Sequence, residues 1–213
     1  MNEPFEVLDL GLLDYKETWA KQLEIHQAVV SGKQMPTLLI VEHPPVITFG
    51  KKGGRENLLV KEDFLVDQGF LLFDIERGGD ITYHGPGQLV AYPILKVGRQ
   101  VRAYLDKLEQ VIIGLLADYN VEAVGSPGYA GVWVKEKKIA SIGVAIKRNV
   151  SFHGLAFNVN TNLTHFNYII PCGLVGKEMT SLTEVTGEIV TLEDIKPGFI
   201  NKFRTTFLQD IRV

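Results

Sequence analysis

Apolar and polar residues along this chain follow two periods, and the switches between them mark out the elements. Residues 5–10 read as a strand. Asp14 and Glu17 make a capping-box-like start, after which Tyr15, Trp19, Leu23 and Val30 fall on one helical face ending at Gly32. Residues 37–41 and 46–49 are short β-rich runs on either side of Pro44 and Pro45. Residues 61–68 predict a helix with Gly69 just beyond it, and residues 70–76 and 88–95 predict strands. The clearest helix is 101–119, where Leu105, Leu108, Ile112, Leu115 and Tyr119 recur at three- and four-residue spacing. Residues 131–135 and 139–147 predict a hairpin turning at 136–138, followed by a strand over 152–159. Thr191 and Asp194 cap a last helix, with Pro197 in its first turns and Phe199, Phe203 and Phe207 on one face. Strands and helices mix irregularly, without the βαβ alternation of a doubly wound fold. The expectation is an α/β (α+β) protein with a mixed β-sheet and flanking helices. Proline and glycine are spread rather than massed in a linker, so a single domain over residues 1–213 is expected.

Composition narrows the class. Of 213 residues, 46% are hydrophobic and 22% charged, the balance of an ordinary soluble domain. The net charge of −3 gives no bulk attraction to nucleic acid. Residues 1–13 carry Glu3, Glu6 and Asp9 and no basic residue, unlike a secretory or transit segment. No apolar run approaches the length of a membrane span, so no membrane partner is expected and the cytoplasm is the default. The chain has one cysteine, which excludes an intrachain disulfide and suits a reducing compartment.

Four segments carry candidate chemistry. The twelve residues from Arg77 to Gln88 hold Gly78, Gly79, Gly85 and Gly87 together with Asp80, Ile81, Thr82, Tyr83 and His84. Glycines let a backbone approach a ligand closely, although a long surface loop has the same composition. No Gly-Lys-Ser/Thr and no G-x-G-x-x-G is present, so no nucleotide-binding element is recognisable. Lys138 opens a run with small residues at Ala140, Ser141 and Gly143 around Ile142; an exposed hairpin lysine would look the same. His153, Gly154, Leu155 and Ala156 form a strand-like run with small residues at alternate positions. Cys172 lies between Pro171 and Gly173, which places it on a turn.

Together these segments resemble the octanoyltransferases of lipoate biosynthesis, from His43-Pro44-Pro45 through Thr180-Ser181-Leu182. The resemblance implies a biotin/lipoate protein ligase-like catalytic domain. It implies that octanoyl passes from octanoyl-acyl carrier protein to Cys172 as a thioester. A specific lysine of a lipoyl domain then takes it as an amide, in 2-oxoacid dehydrogenases or the glycine cleavage H protein. It assigns Lys138 to lower the thiol pKa and shuttle protons. It assigns the acyl site to Arg77, Gly78, Gly79, Asp80, Ile81, Thr82, Tyr83 and His84, to Ser141, Ile142 and Gly143, and to Gly154, Leu155 and Ala156. No cofactor or metal is implied. One departure is Asn162, where the family commonly has Asp. The competing readings are an ATP-dependent lipoate- or biotin-type ligase, a Cys-His thioesterase using His84 or His153, and a non-enzymatic acyl-binding protein. Lys51, Lys52 and Arg55, or Lys147 and Arg148, are candidate contacts for acidic carrier proteins.

Overall fold

The computed structural model describes residues 5–98, 100–126 and 130–208; the part of the N-terminal reading that rests on Glu3 lies outside them. In chain order the elements are β1 (Glu6–Leu12), α1 (Tyr15–Val30), β2 (Thr37–Glu42), β3 (Val46–Phe49), α2 (Glu62–Asp67) and β4 (Leu71–Asp74). There follow β5 (Ile81–His84), β6 (Gln88–Ile94), α3 (Val101–Ala117), β7 (Val124–Gly125), β8 (Gly131–Val134) and β9 (Lys137–Lys147). The last are β10 (Val150–Asn158), α4 (Leu182–Thr186) and α5 (Leu192–Leu208).

Among the described residues the strands form two sheets. The larger runs β1-β2-β6-β10-β9-β8-β7, parallel at β1–β2 and antiparallel elsewhere. The smaller runs β4-β3-β5, with β3 parallel to β4 and antiparallel to β5. The expected mixed sheet is therefore present. Its central strands β2 and β6 read as nearly unbroken apolar runs because both faces are covered. Leu38, Ile40, Leu89 and Ala91 pack with α3 and α5, whereas Leu39, Val41, Val90 and Tyr92 pack with Tyr15, Ile25 and Val29 of α1. The small sheet builds its own core from Ile47, Phe49, Ile81, Tyr83 and Phe166.

Helix ends follow local chemistry. Asp14 accepts from the Lys16 N–H at 2.7 Å, and Thr191 and Asp194 exchange bonds at the start of α5. Three expectations need correction. Residues 81–84 lie in strand β5 rather than in a loop, because their side chains alternate between the small core and a cleft. The β8–β9 hairpin turns one residue earlier than predicted, at Lys135, whose φ is +52°; Lys138 is inside the strand. The buried face of α1 runs through Tyr15, Thr18, Gln22, Ile25, His26 and Val29; of the expected stripe, Trp19 and Val30 pack against its edge, partly buried, and Leu23 is outside that cluster. Its polar groups serve the sheet, with Gln22 Oε1 accepting from the His153 N–H at 2.8 Å. No helix among the described residues is long and apolar enough to cross a membrane.

Candidate active site

Lys138 and Cys172 arrive from different elements and meet. Lys138 is 2% exposed. Its N–H donates to the Glu178 carbonyl and its carbonyl accepts from Thr180, both at 2.9 Å, so the strand edge is strapped to the segment that follows Cys172. The ammonium lies 5.6 Å from the centroid of the Trp133 ring, a cation–π placement. Gly131 makes room for it: a Cβ there would stand 2.5 Å from Lys138 Cε and 2.5 Å from the Ala140 carbonyl oxygen. From this position Lys138 Nζ donates to Cys172 Sγ at 3.4 Å.

Cys172 sits in a single 3₁₀ turn, Pro171–Gly173, with φ 58° and ψ 19°. That left-handed conformation is uncommon for a residue with a side chain. The turn is clamped from the small-sheet side. Ile170 donates to Asn57 O at 2.8 Å, Asn57 Nδ2 to Asp80 Oδ2 at 2.8 Å, and the other Asp80 oxygen accepts from the Ile81 N–H at 2.6 Å. Upstream, Asn162 accepts from the Thr164 N–H and hydroxyl at 3.1 and 2.7 Å. An amide oxygen thus makes this cap, without a carboxylate's charge.

A narrow cleft of about 50 Å³ opens beside the sulfur. Its floor is the large sheet: Ser141 of β9 pairs with Ala156 of β10, and Gly143 with Gly154; Ala156 in turn pairs with Val90 of β6. Its roof is the 77–79 loop and β5. Of the sequence-predicted residues, Arg77, Gly78, Gly79, Thr82, His84, Ser141, Ile142, Gly143, Gly154, Leu155 and Ala156 line the cleft with Cys172. Asp80, Ile81 and Tyr83 do not. Asp80 serves the cysteine turn. Ile81 is in the small-sheet core, and the Tyr83 hydroxyl hydrogen-bonds His165 Nδ1 at 2.8 Å. Tyr15, Val90, Tyr92 and His153 also line the cleft. Sequence reasoning had no signal for Tyr15 and Tyr92, since only packing brings α1 and β6 here. A larger depression of about 1330 Å³ between α3, β7 and β8 does not include Cys172.

The cleft's polar groups are dry. Burial pushes His84 down to about 3, helped by neighbouring His43, and pushes His43 down to about 4. His43 Nδ1–H donates to Leu13 O at 2.7 Å and Nε2 accepts from the Tyr92 hydroxyl at 2.9 Å. Gln88 Nε2 donates to Asn158 Oδ1 at 2.9 Å, so its oxygen faces His84 Nδ1 at 2.8 Å. That network assigns the His84 proton to Nδ1 and leaves Nε2 as an acceptor. Burial also holds the Arg77 guanidinium below its ordinary range, against Cys172, Tyr15, Tyr92 and Asp80, which favour its charge. Arg77 Nη2 donates to Thr48 O at 2.8 Å, while its Nε is buried without a hydrogen bond. A part-buried contact between an ammonium and a thiol, beside a second cation, opens on a cleft floored by small residues that admits a linear substituent.

The family described as lipoyl protein ligase A/B catalytic domain matches residues 14–204. An octanoyltransferase of Deinococcus radiodurans is 47% identical, the alignment covering 95% of this chain and 65% of the relative's length. One from Caldicellulosiruptor saccharolyticus is 44% identical, covering 87% and 81%. Among solved structures, a bi-partite lipoate protein ligase of Thermoplasma acidophilum superposes with TM-score 0.74 at 18% identity, over 97% of this chain and 85% of that one. Biotin protein ligase of Aquifex aeolicus gives 0.55 at 13%, over 96% and 69%. At these identities the structural likeness concerns the fold alone.

Proposed function

Because this chain belongs to the lipoyl protein ligase A/B catalytic-domain family, among its octanoyltransferases, we propose that it moves octanoyl from octanoyl-acyl carrier protein to a specific lysine of lipoyl domains through a thioester on Cys172. The acceptors are lipoyl domains of 2-oxoacid dehydrogenases and the glycine cleavage H protein. A free thiol nucleophile suits the cytoplasm. The observation that carries this reading is the 3.4 Å contact from Lys138 Nζ to Cys172 Sγ at the mouth of the cleft.

The chemistry proceeds in two balanced halves. A thiolate–ammonium pair at 3.4 Å attracts with about 5 kcal/mol at an effective dielectric of about 20, before desolvation takes its share. The thiolate attacks the incoming thioester carbonyl, and the tetrahedral adduct collapses as the carrier's sulfur leaves. Lys138 gives that sulfur its proton and becomes a neutral amine. The acceptor amine then attacks the Cys172 thioester. Its surplus proton passes to Lys138, the C–S bond breaks, and the thiolate–ammonium pair is restored. Thioester to amide is downhill, so no nucleotide is consumed.

Gly78 N–H is committed to Val144 O at 2.9 Å, which removes it as an oxyanion donor. Arg77, under the cleft roof, supplies positive potential to the adduct instead. Seven tail carbons at about 0.8 kcal/mol per buried CH₂ contribute at most roughly 5–6 kcal/mol. The cleft's 50 Å³ is below the roughly 300–1,000 Å³ of drug-sized ligand sites, so loading the tail must spread its walls. Neither histidine of the hydrolase alternative is the partner of the sulfur.

The test is intact mass after incubation with octanoyl-acyl carrier protein, without and with ATP, before and after hydroxylamine. The expected result is one hydroxylamine-labile octanoyl group, formed without ATP and absent in Cys172→Ser. An ATP requirement, or an acyl group retained by Cys172→Ser, refutes the assignment. Release of free octanoate in the presence of a lipoyl domain identifies a hydrolase instead.

A further inference from the structure

We propose that His153 is the end wall of the acyl cleft and sets the length of chain that Cys172 accepts. The inference rests on the octanoyl-thioester reading above. Three observations carry it.

The first is an interruption in strand β10. His153 has φ 56°, although it lies within a strand and carries a ring. Along β10 the side chains of Leu155 and Phe157 face α3 and α5, and Ala156 faces α1. Continued alternation would send His153 to the α3 side. The left-handed residue breaks the alternation instead, without a shift of register against β9, and His153 lines the cleft with Gly154. Its neighbour Phe152 also faces α1, against His26 at 4.9 Å between ring centroids. The N–H freed by this turn is taken by Gln22 of α1.

The second is the state of the ring. His153 is 1% exposed, and neither ring nitrogen has a hydrogen-bond partner. Glu76 Oε2 is 3.7 Å from Nε2, an ion-pair distance too long for a hydrogen bond. The ring stands edge-on to Tyr92, with centroids 6.4 Å apart. A bulky imidazole whose nitrogens make no hydrogen bond is a poor neighbour for further methylenes, both by volume and by polarity.

The third is length. Ser141 is the rank of the cleft floor nearest Lys138, and His153 pairs with Val144, three residues further along β9. Three residues of strand span about 10 Å. An octanoyl chain of seven C–C bonds, each about 1.5 Å and staggered, extends about 9 Å. The floor between the ends consists of Ser141, Gly143, Gly154 and Ala156, which offer no earlier obstruction.

The test compares octanoyl, decanoyl and dodecanoyl pantetheine thioesters as donors, by the rate of Cys172 acylation read as intact mass. His153→Gly keeps the left-handed backbone at no steric cost and removes the ring. His153→Asn also tolerates that backbone and shortens the side chain. The expected result is a rise of tenfold or more in the decanoyl/octanoyl rate ratio for His153→Gly and a smaller rise for His153→Asn. A ratio within twofold of wild type in either folded variant, or a uniform loss across all three donors, overturns the end wall while leaving the function intact. A wild-type protein that takes no acyl group on Cys172 overturns the functional reading, and the end wall with it.

Discussion

Lys138 and Cys172 touch, yet they belong to opposite kinds of structure. Lys138 stands on a buried strand, 2% exposed, with both main-chain groups hydrogen-bonded. Cys172 stands on one half-exposed turn in a left-handed conformation, followed by residues 175–178 that are exposed throughout. The contrast matches the tasks proposed for them. A proton donor must be held dry and in place, which a sheet does well. A sulfur that meets two protein-borne groups in succession must be reachable, which a surface turn does well.

The largest expected effect breaks the buried side of this contrast. Lys138→Ala should slow Cys172 acylation by about 10²- to 10⁴-fold, measured in single-turnover mass spectra. Lys138→Arg should remain slow, because a guanidinium does not release its proton. Retention within tenfold in Lys138→Ala would mean that the thiol works without its partner.

Acid acts on the sheet side too. His43 titrates at about 4 in the fold and at about 6.5 unfolded. Between those values the unfolded chain binds a proton that the native protein refuses, so stability falls as pH drops from about 6.5 towards 4. The loss is on the order of 3 kcal/mol for His43, and the lower value of His84 extends the decline towards pH 3. Urea midpoints across that range should fall accordingly, with a shallower decline in His43→Gln. A flat profile would show the histidines to be solvated.

Two glycine substitutions sharpen the comparison. Gly131→Ala drives a methyl into Lys138 Cε and the Ala140 carbonyl. It should cost about 1–3 kcal/mol and displace the ammonium, slowing acylation about tenfold. Gly176→Ala, in the segment after the cysteine, meets nothing within 4 Å but has φ +74°. It should cost about 1 kcal/mol in denaturation and leave the acylation rate within threefold.

The smallest effect concerns approach. Lys51 and Lys52 bond through their main chain to Arg77 O and Gly79 O, which places them at the cleft. Arg55 is paired with Glu62 and Asp74. Lys147 and Arg148 lie at the far end of β9, nine residues or about 30 Å of strand from Lys138. The double variant Lys51→Glu/Lys52→Glu should slow transfer from octanoyl-acyl carrier protein a few-fold, more at low salt, without changing rates from small thioesters. Equal slowing with both donors would place the lysines in the cleft's chemistry rather than in docking.

What was legible in the chain was what repeats. The stripes at Leu108, Ile112 and Leu115, the α5 capping pair, and the doubly apolar runs of β2 and β6 announce themselves within a few residues. The four candidate segments were legible as chemistry, and their convergence was legible only through the family resemblance, because β5, β9, β10 and the cysteine turn meet only through long-range pairing. Strand β5 was hidden by glycines on both sides of Ile81–His84, although Ile81 and Tyr83 alternate with Thr82 and His84 as a strand should. The roles of Tyr15, Tyr92 and Gly131 arise from what stands opposite them in space, which no local pattern encodes. The polar face of α1 escapes the apolar pattern because Gln22 and His26 are buried to satisfy the sheet and Thr18 is satisfied within the helix by Asp14 O.

The left-handed backbone of Cys172 has an evolutionary corollary. Such a φ costs a β-carbon-bearing residue about 1–2 kcal/mol, so folding alone would favour glycine or asparagine there. Mutation under selection for foldedness would steadily erase the cysteine, and only selection for its chemistry opposes that drift. Survival and activity therefore pull in opposite directions at one position. A screen that ranks variants by melting temperature would enrich Cys172→Gly and Cys172→Asn and so discard the proposed nucleophile while stabilising the fold.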